Sequence, residues 1–212
     1  MRRLIVPVLM LSCVVSATAA SSAQQTPGTE SRPAVKPGHA VNPVGEATAA
    51  FKKRLDDYLK LRSASTAKIP DVSQTHDPNK ISAREKALGE AIAAARMPAK
   101  PGDLFGDMSP IITKIIAKDW ATRSAADRQA IFKELPAGVQ VTINRPYPTT
   151  LPLLTVPSNM LVNLPILPDD LEYRIADRHL LLRDRDANLV IDILYNVLPK
   201  VLPRSVKQEV EK

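Results

Sequence analysis

Cysteine occurs once in the 212 residues, at Cys13, which excludes an intramolecular disulfide framework and a cysteine-rich zinc or iron–sulfur site. Aromatic residues make up 4% of the chain, too few for the stacking platforms that bind bases or sugars. There are seven glycines and none follows Gly138, so Asp and Asn must supply the tight turns of the last third. Glycine-rich phosphate and dinucleotide loops are missing, since the segment from Gly102 to Gly106 has neither the spacing nor the lysine. No Gly-x-Ser-x-Gly elbow occurs, and Ser109, Ser124 and Ser158 read as caps or turns. Together these absences remove the common enzyme signatures and leave location and architecture as the firm content.

What is present begins at the N-terminus. Arg2 and Arg3 precede an apolar run from Leu4 to Val15, and small residues follow from Ser16 to Ala23. A basic start, a short apolar centre and a small-residue end form the template of a secretory signal peptide, here residues 1–23. The run covers 12 positions, whereas a spanning helix needs roughly 20, so a retained membrane anchor is the lesser reading. Cleavage fits after Ala19 or after Ala23. Lipidation at Cys13 is the minority alternative, because Leu11 is bulky and the apolar run continues through Val14 and Val15. With cleavage, the mature chain has no cysteine, no transmembrane segment, and a net charge two units below the +7 of the whole sequence. The expected location is the periplasm or the cell exterior.

Residues 24–43 hold four prolines, two glycines and few apolar side chains, the composition of a disordered tether. From Val44 the pattern turns helical, with Ala47, Phe51, Leu55, Tyr58 and Leu59 at three- and four-residue spacing up to about Ser63. A second helix is expected from about Lys80 to Met97, stopped by Pro98 and Pro101. A third begins near Ser109-Pro110 and carries Ile111, Ile112, Ile115, Ile116 and Trp120; a fourth is opened by a capping box at Ser124–Asp127 and ends before Pro136.

After Gly138 the pattern changes. Val139–Ile143 alternates and is β-branched, which predicts a strand. Residues 146–168 contain six prolines interleaved with leucines, a composition that blocks regular helix and central strand yet demands burial. The expectation is an extended strap pressing its leucines into grooves between helices, in preference to a polyproline ligand for a partner. Leu171–Ala176 and His179–Arg183 predict a hairpin across Asp177-Arg178. Residues 189–194 read as a third strand rather than a short helix, and 204–212 as a frayed tail. The fold class is therefore α+β: a signal, a tether, and a single domain over 44–203. That domain has a helical body at about 44–135, the strap, and a small C-terminal antiparallel β unit at 171–194.

Two passages, Ala83-Arg84-Glu85-Lys86-Ala87-Leu88-Gly89-Glu90-Ala91 and Leu171-Glu172-Tyr173-Arg174 with Leu182-Arg183-Asp184 and Ala187-Asn188-Leu189-Val190-Ile191-Asp192, carry a resemblance. The chain resembles, over roughly 44–203, a group of exported bacterial proteins to which no activity is assigned. The resemblance implies export and a shared fold, and it transfers no catalytic residue. Relatives in that group often carry Gly in the hairpin turn, where this chain has Asp177.

Candidate chemistry is sparse. His39 lies in the tether and His76 in a polar loop with no second imidazole at metal-ligand spacing, so no metal or cofactor is expected. His179, Asp184 and Asp186 are the catalytic candidates, a polar group across the hairpin that supports the alternative of a small hydrolase or metal-dependent enzyme. Such a group is more often ordinary cross-strand pairing. Lys52, Lys53, Arg54 and Lys60 on the first helix are the binding candidates, facing an anionic envelope surface or an envelope protein. Export removes nucleic acid as a partner. The sequence thus favours a non-enzymatic envelope-associated binding or structural protein over the enzyme.

Overall fold

In the computed structural model the described residues are 42–72, 74–135 and 139–199. The signal peptide, nearly all of the tether, residues 136–138 and the charged tail fall outside them. Helix α1 (Pro43–Thr66) starts one residue earlier than its apolar pattern, because Asn42 caps it through Oδ1 to the Val44 and Gly45 amides and Pro43 occupies the first turn. Helix α2 (Pro78–Ala95) is capped in the same way by Asp77. A 3₁₀ turn (Gly106–Met108) leads into α3 (Ser109–Thr122). The Ser124–Asp127 capping box opens α4 (Ala125–Glu134). No described helix is long and apolar enough to cross a membrane.

The buried stripe of α1 (Ala47, Phe51, Leu55 and Tyr58) meets Leu88 and Ile92 of α2 and Ile112, Ile116 and Trp120 of α3. Phe105 fills the centre, with its ring 6.0 Å from Phe51 and 6.5 Å from Tyr173, stacked on both. This helical layer covers one face of a five-stranded antiparallel sheet ordered β1-β5-β4-β3-β2. Its central meander is β3 (Leu171–Ala176), β4 (His179–Asp184) and β5 (Leu189–Leu194), so 189–194 is a strand. The absence of late glycines has the foreseen outcome. Asn144, Asp177, Asn188 and Asn196 all take positive φ, between 46° and 57°.

Both edges of the sheet come from the proline-rich region, and here the structure corrects the sequence. Val139–Ile143 forms no strand. Flanking the short pairing with β5, Asn144 N–H donates to Val190 O (2.8 Å) and Tyr147 N–H to Asn188 O (2.9 Å). Only β1 (Arg145–Pro146) results. Val139 and Val141 instead rest their side chains on a second apolar cluster. That cluster is the sheet's other face, with Ala176, Leu181, Val190 and Ile193 beneath Tyr147, Leu151 and Leu153. The first half of the strap thus lies across the sheet rather than between helices, and it emerges at the far edge as β2 (Leu154–Thr155). The second half joins the helical core through Val156, Met160 and Leu164, and between Pro157 and Pro165 there is room for a one-turn helix, α5 (Ser158–Leu161).

Helix α2 approaches the β4–β5 turn so closely that a Cβ on Gly89 would lie 2.9 Å from the Ala187 carbonyl oxygen. In an ordinary exposed helix Gly→Ala gains about 0.5–1 kcal/mol. Here backbone must move, and Gly89→Ala is expected to destabilise the protein by about 1–3 kcal/mol in urea denaturation. A gain in stability would show that this contact yields freely.

Candidate functional site

The catalytic candidates of the hairpin do not converge. His179 and Asp184 are the two ends of β4, five residues and about 17 Å apart, and their side chains leave opposite faces of the sheet. His179 accepts a hydrogen bond at Nδ1 from the Asn196 amide (3.0 Å) and packs edge-on against Tyr195, 4.9 Å away. Burial lowers its pKa, with Asp177 opposing and Arg178 assisting. It pins the chain that leaves β5.

Asp184 and Asp186 are brought together, but by an arginine. Fully buried Asp184 accepts from Tyr58 O–H (2.8 Å), Arg62 Nε (2.7 Å) and the Ala187 amide (3.0 Å). The same guanidinium reaches Asp186 at 2.7 Å and Asp170 at 3.1 Å. Burial pushes the Tyr58 hydroxyl far up, and the Asp184 charge adds to it. For Arg62 burial pulls the other way, but three carboxylates outweigh it and raise the pKa. This is a clamp of α1 onto the sheet, with every acceptor of Asp184 occupied by a structural donor.

The basic candidates of α1 are largely neutralised where they stand. Asp57 takes Lys53 at 2.7 Å and Lys60 at 3.3 Å, and its pKa falls chiefly through the Lys53 bond. Arg54 pairs with Asp107 at 3.1 Å and lies over Gly106. Of the four, Lys52 alone has no carboxylate partner among the described residues. These lysines are well exposed, so each pair contributes little stability.

Two polar centres were missed from sequence. A β-bulge between Leu182 and Arg183 leaves Ile191 as the extra residue and turns Asp192 toward the helical layer. There its buried carboxylate accepts from the amides of Gly102 (2.5 Å), Leu104 (2.8 Å) and Phe105 (2.8 Å), and from its own neighbour Ile193 (2.8 Å). Burial raises its pKa against the pull of those four donors. The signal was a lone acid in the apolar run Leu189–Leu194. Close by, the Arg96 guanidinium reaches Asn144 Oδ1 (2.6 Å) and Ile191 O (2.8 Å) and covers the Tyr58 ring at 5.5 Å. On the opposite sheet face Glu172 sits between Arg174 and Arg183, each at 2.5 Å; burial raises its pKa, and the two arginines more than reverse that. Arg183 also reaches Asn188 Oδ1 at 2.8 Å, whereas the buried Nε of Arg174 has no hydrogen-bond partner.

Two of the surface hollows border the sheet. One of about 660 Å³ runs between α2 and β1, past Glu85, Glu90 and Arg145, and its inner polar group Asn188 is already bonded to Arg183 and to the Tyr147 carbonyl. The other, of about 580 Å³, lies along β3 and is bounded by Leu161, Val162, Ile166 and Leu167 on one side and by Glu172 and Arg174 on the other. Ile166 is 95% exposed and Val162 79%. These are the most exposed large aliphatic side chains among the described residues. Among the described residues no three His, Cys, Asp or Glu side chains cluster so as to hold a metal ion.

Removing one partner of a buried ion pair strands the other. Asp184→Ala is therefore expected to cost about 3–5 kcal/mol in urea denaturation, and the joint replacement Arg62→Met with Asp184→Leu to cost less than the single change. Equal losses would mean that Arg62 is satisfied without Asp184. Because burial lowers the His179 pKa, the unfolded chain binds this proton more tightly. Stability is then fully present above the ordinary histidine value and falls as pH drops through it toward the folded one. In His179→Gln the urea midpoint should lose that part of its slope between about pH 7 and pH 5. An unchanged slope removes His179 as its source.

No protein-family model matches the chain, and neither the curated proteins nor the solved structures contain one significantly similar to it.

Proposed function

We propose that this chain is an exported, envelope-associated protein that works by binding another protein rather than by catalysis. The signal-peptide pattern of residues 1–23 supports export, as does the resemblance to exported bacterial proteins. The observation that carries the binding reading is the use made of the ionisable groups. Asp184, Asp192 and Glu172 are each engaged in holding elements together, while the groove along β3 leaves large aliphatic side chains in water. A protein partner is favoured over an anionic surface, because Lys53, Arg54 and Lys60 already face carboxylates. Attraction between such paired, exposed charges and anionic lipid or polysaccharide is short-ranged and screened at physiological salt.

The test is expression of the whole chain in a Gram-negative host, with fractionation and intact-mass measurement. The expected product begins at Ala20 or Gln24 and appears in the periplasmic fraction. A chain retaining Met1 in the cytosolic fraction would overturn export. For the activity, the purified mature protein is expected to leave ester, phosphoester and peptide reporter substrates untouched. Hydrolysis abolished by both His179→Ala and Asp186→Asn would restore the enzyme reading.

A further inference from the structure

The groove along β3 has features that specify the chemistry of its occupant. The first is a strand edge. β2 pairs only with the far end of β3, Leu154 opposite Ile175 and Thr155 opposite Arg174, and Pro157 then ends it. The outer edge of Leu171–Tyr173 therefore has no strand beside it and borders the groove; the Leu171 amide turns to the Pro168 carbonyl (2.9 Å), which leaves the Tyr173 amide as the edge donor. The second is a wall held in place before anything binds. Leu164 is anchored in the core and Tyr173 O–H donates to the Pro165 carbonyl (3.1 Å). Prolines 157, 165 and 168 restrict the backbone around it. On this fixed segment Leu161, Val162 and Ile166 project into water. The third is charge: two arginines, Arg174 and Arg183, share one carboxylate, Glu172, and Arg174 keeps an unbonded Nε.

We infer that the groove binds an extended polypeptide segment of a partner protein, alternating aliphatic and acidic residues, which adds as a strand to the outer edge of β3. This deepens the binding reading and rests on it. The alternation follows from the pleat. Leu171 and Tyr173 point to the face where the apolar wall stands, and Glu172 and Arg174 point to the other. A strand laid beside β3 presents every second side chain to Leu161, Val162 and Ile166, and the intervening ones to the arginine-rich face. Acidic residues there answer the surplus positive charge. An acyl chain fills the same volume but leaves the Tyr173 edge amide without a partner, which backbone addition does not.

The probe is a fluorescein-labelled, end-capped peptide of three valine–glutamate pairs, titrated against the mature protein by fluorescence anisotropy. Binding is expected, at least tenfold weaker for the valine–lysine peptide and for a version N-methylated at alternate residues. Ile166→Asp, at a fully solvated position, should weaken it at least tenfold with an unchanged far-ultraviolet spectrum. On binding, the Tyr173 amide should gain protection from hydrogen exchange. Equal binding of the N-methylated peptide, or displacement by oleate with no change at Tyr173, would overturn strand addition in favour of an amphiphile. No binding of the probe overturns the proposed site, and the broader reading is judged separately by cross-linking the mature protein in its envelope extract. A partner captured equally by wild type and Ile166→Asp leaves binding intact and locates it elsewhere.

Discussion

A central meander that is apolar on both faces has to be covered twice, and the rest of the molecule is arranged around that requirement. Every residue of β5 is buried, and β4 exposes none of its three consecutive leucines. An antiparallel sheet commonly leaves one face to water. This chain has helices for one face only, α1 to α3, and it covers the other with an extended proline-rich strap led by Tyr147 and Leu151. The strap closes the problem of edges at the same time. Its two ends become β1 and β2, which pair with Leu189–Val190 of β5 and Arg174–Ile175 of β3 and leave the outer edge of Leu171–Tyr173 without a strand.

Covering both faces puts charges where water does not reach, and the structure satisfies them with donors from the elements that need joining. Asp184 receives α1 through Tyr58 and Arg62. Asp192 receives the loop before α3 through three backbone amides, and the bulge beside it is what aims it there. Left unpaired, such groups each cost several kcal/mol. Paired, they fix which helix lies where, a matter on which aliphatic packing alone is indifferent. The exception is the third centre, where two arginines share Glu172 and the adjoining groove stays open.

Much of the fold was legible because it rests on local rules. The amphipathic spacing of Phe51, Leu55 and Tyr58, the Ser124–Asp127 box and the alternating strands around Asp177 each report a short-range preference, and each element stands where expected. The strand expected at Val139–Ile143 failed because its β-branched pattern reports burial and not pairing: Val139 and Val141 pack on the second apolar cluster, and β1 begins only at Arg145. The grouping of His179 with Asp184 failed for a related reason. Closeness in sequence along a strand means separation in space, and residues of unlike parity leave opposite faces.

The sequence by itself determined the α+β class, the helix starts, the three-strand meander and the use of Asn and Asp where glycine is absent, since all of these follow from steric and hydrogen-bond preferences within a few residues. Only the tertiary structure decided that the strap crosses the sheet, that Arg62 gathers three carboxylates, that Asp192 holds a loop some ninety residues earlier, and that the edge of β3 faces an apolar groove. Those depend on which distant surfaces meet, and the free energy that selects them comes from burial summed over the whole core.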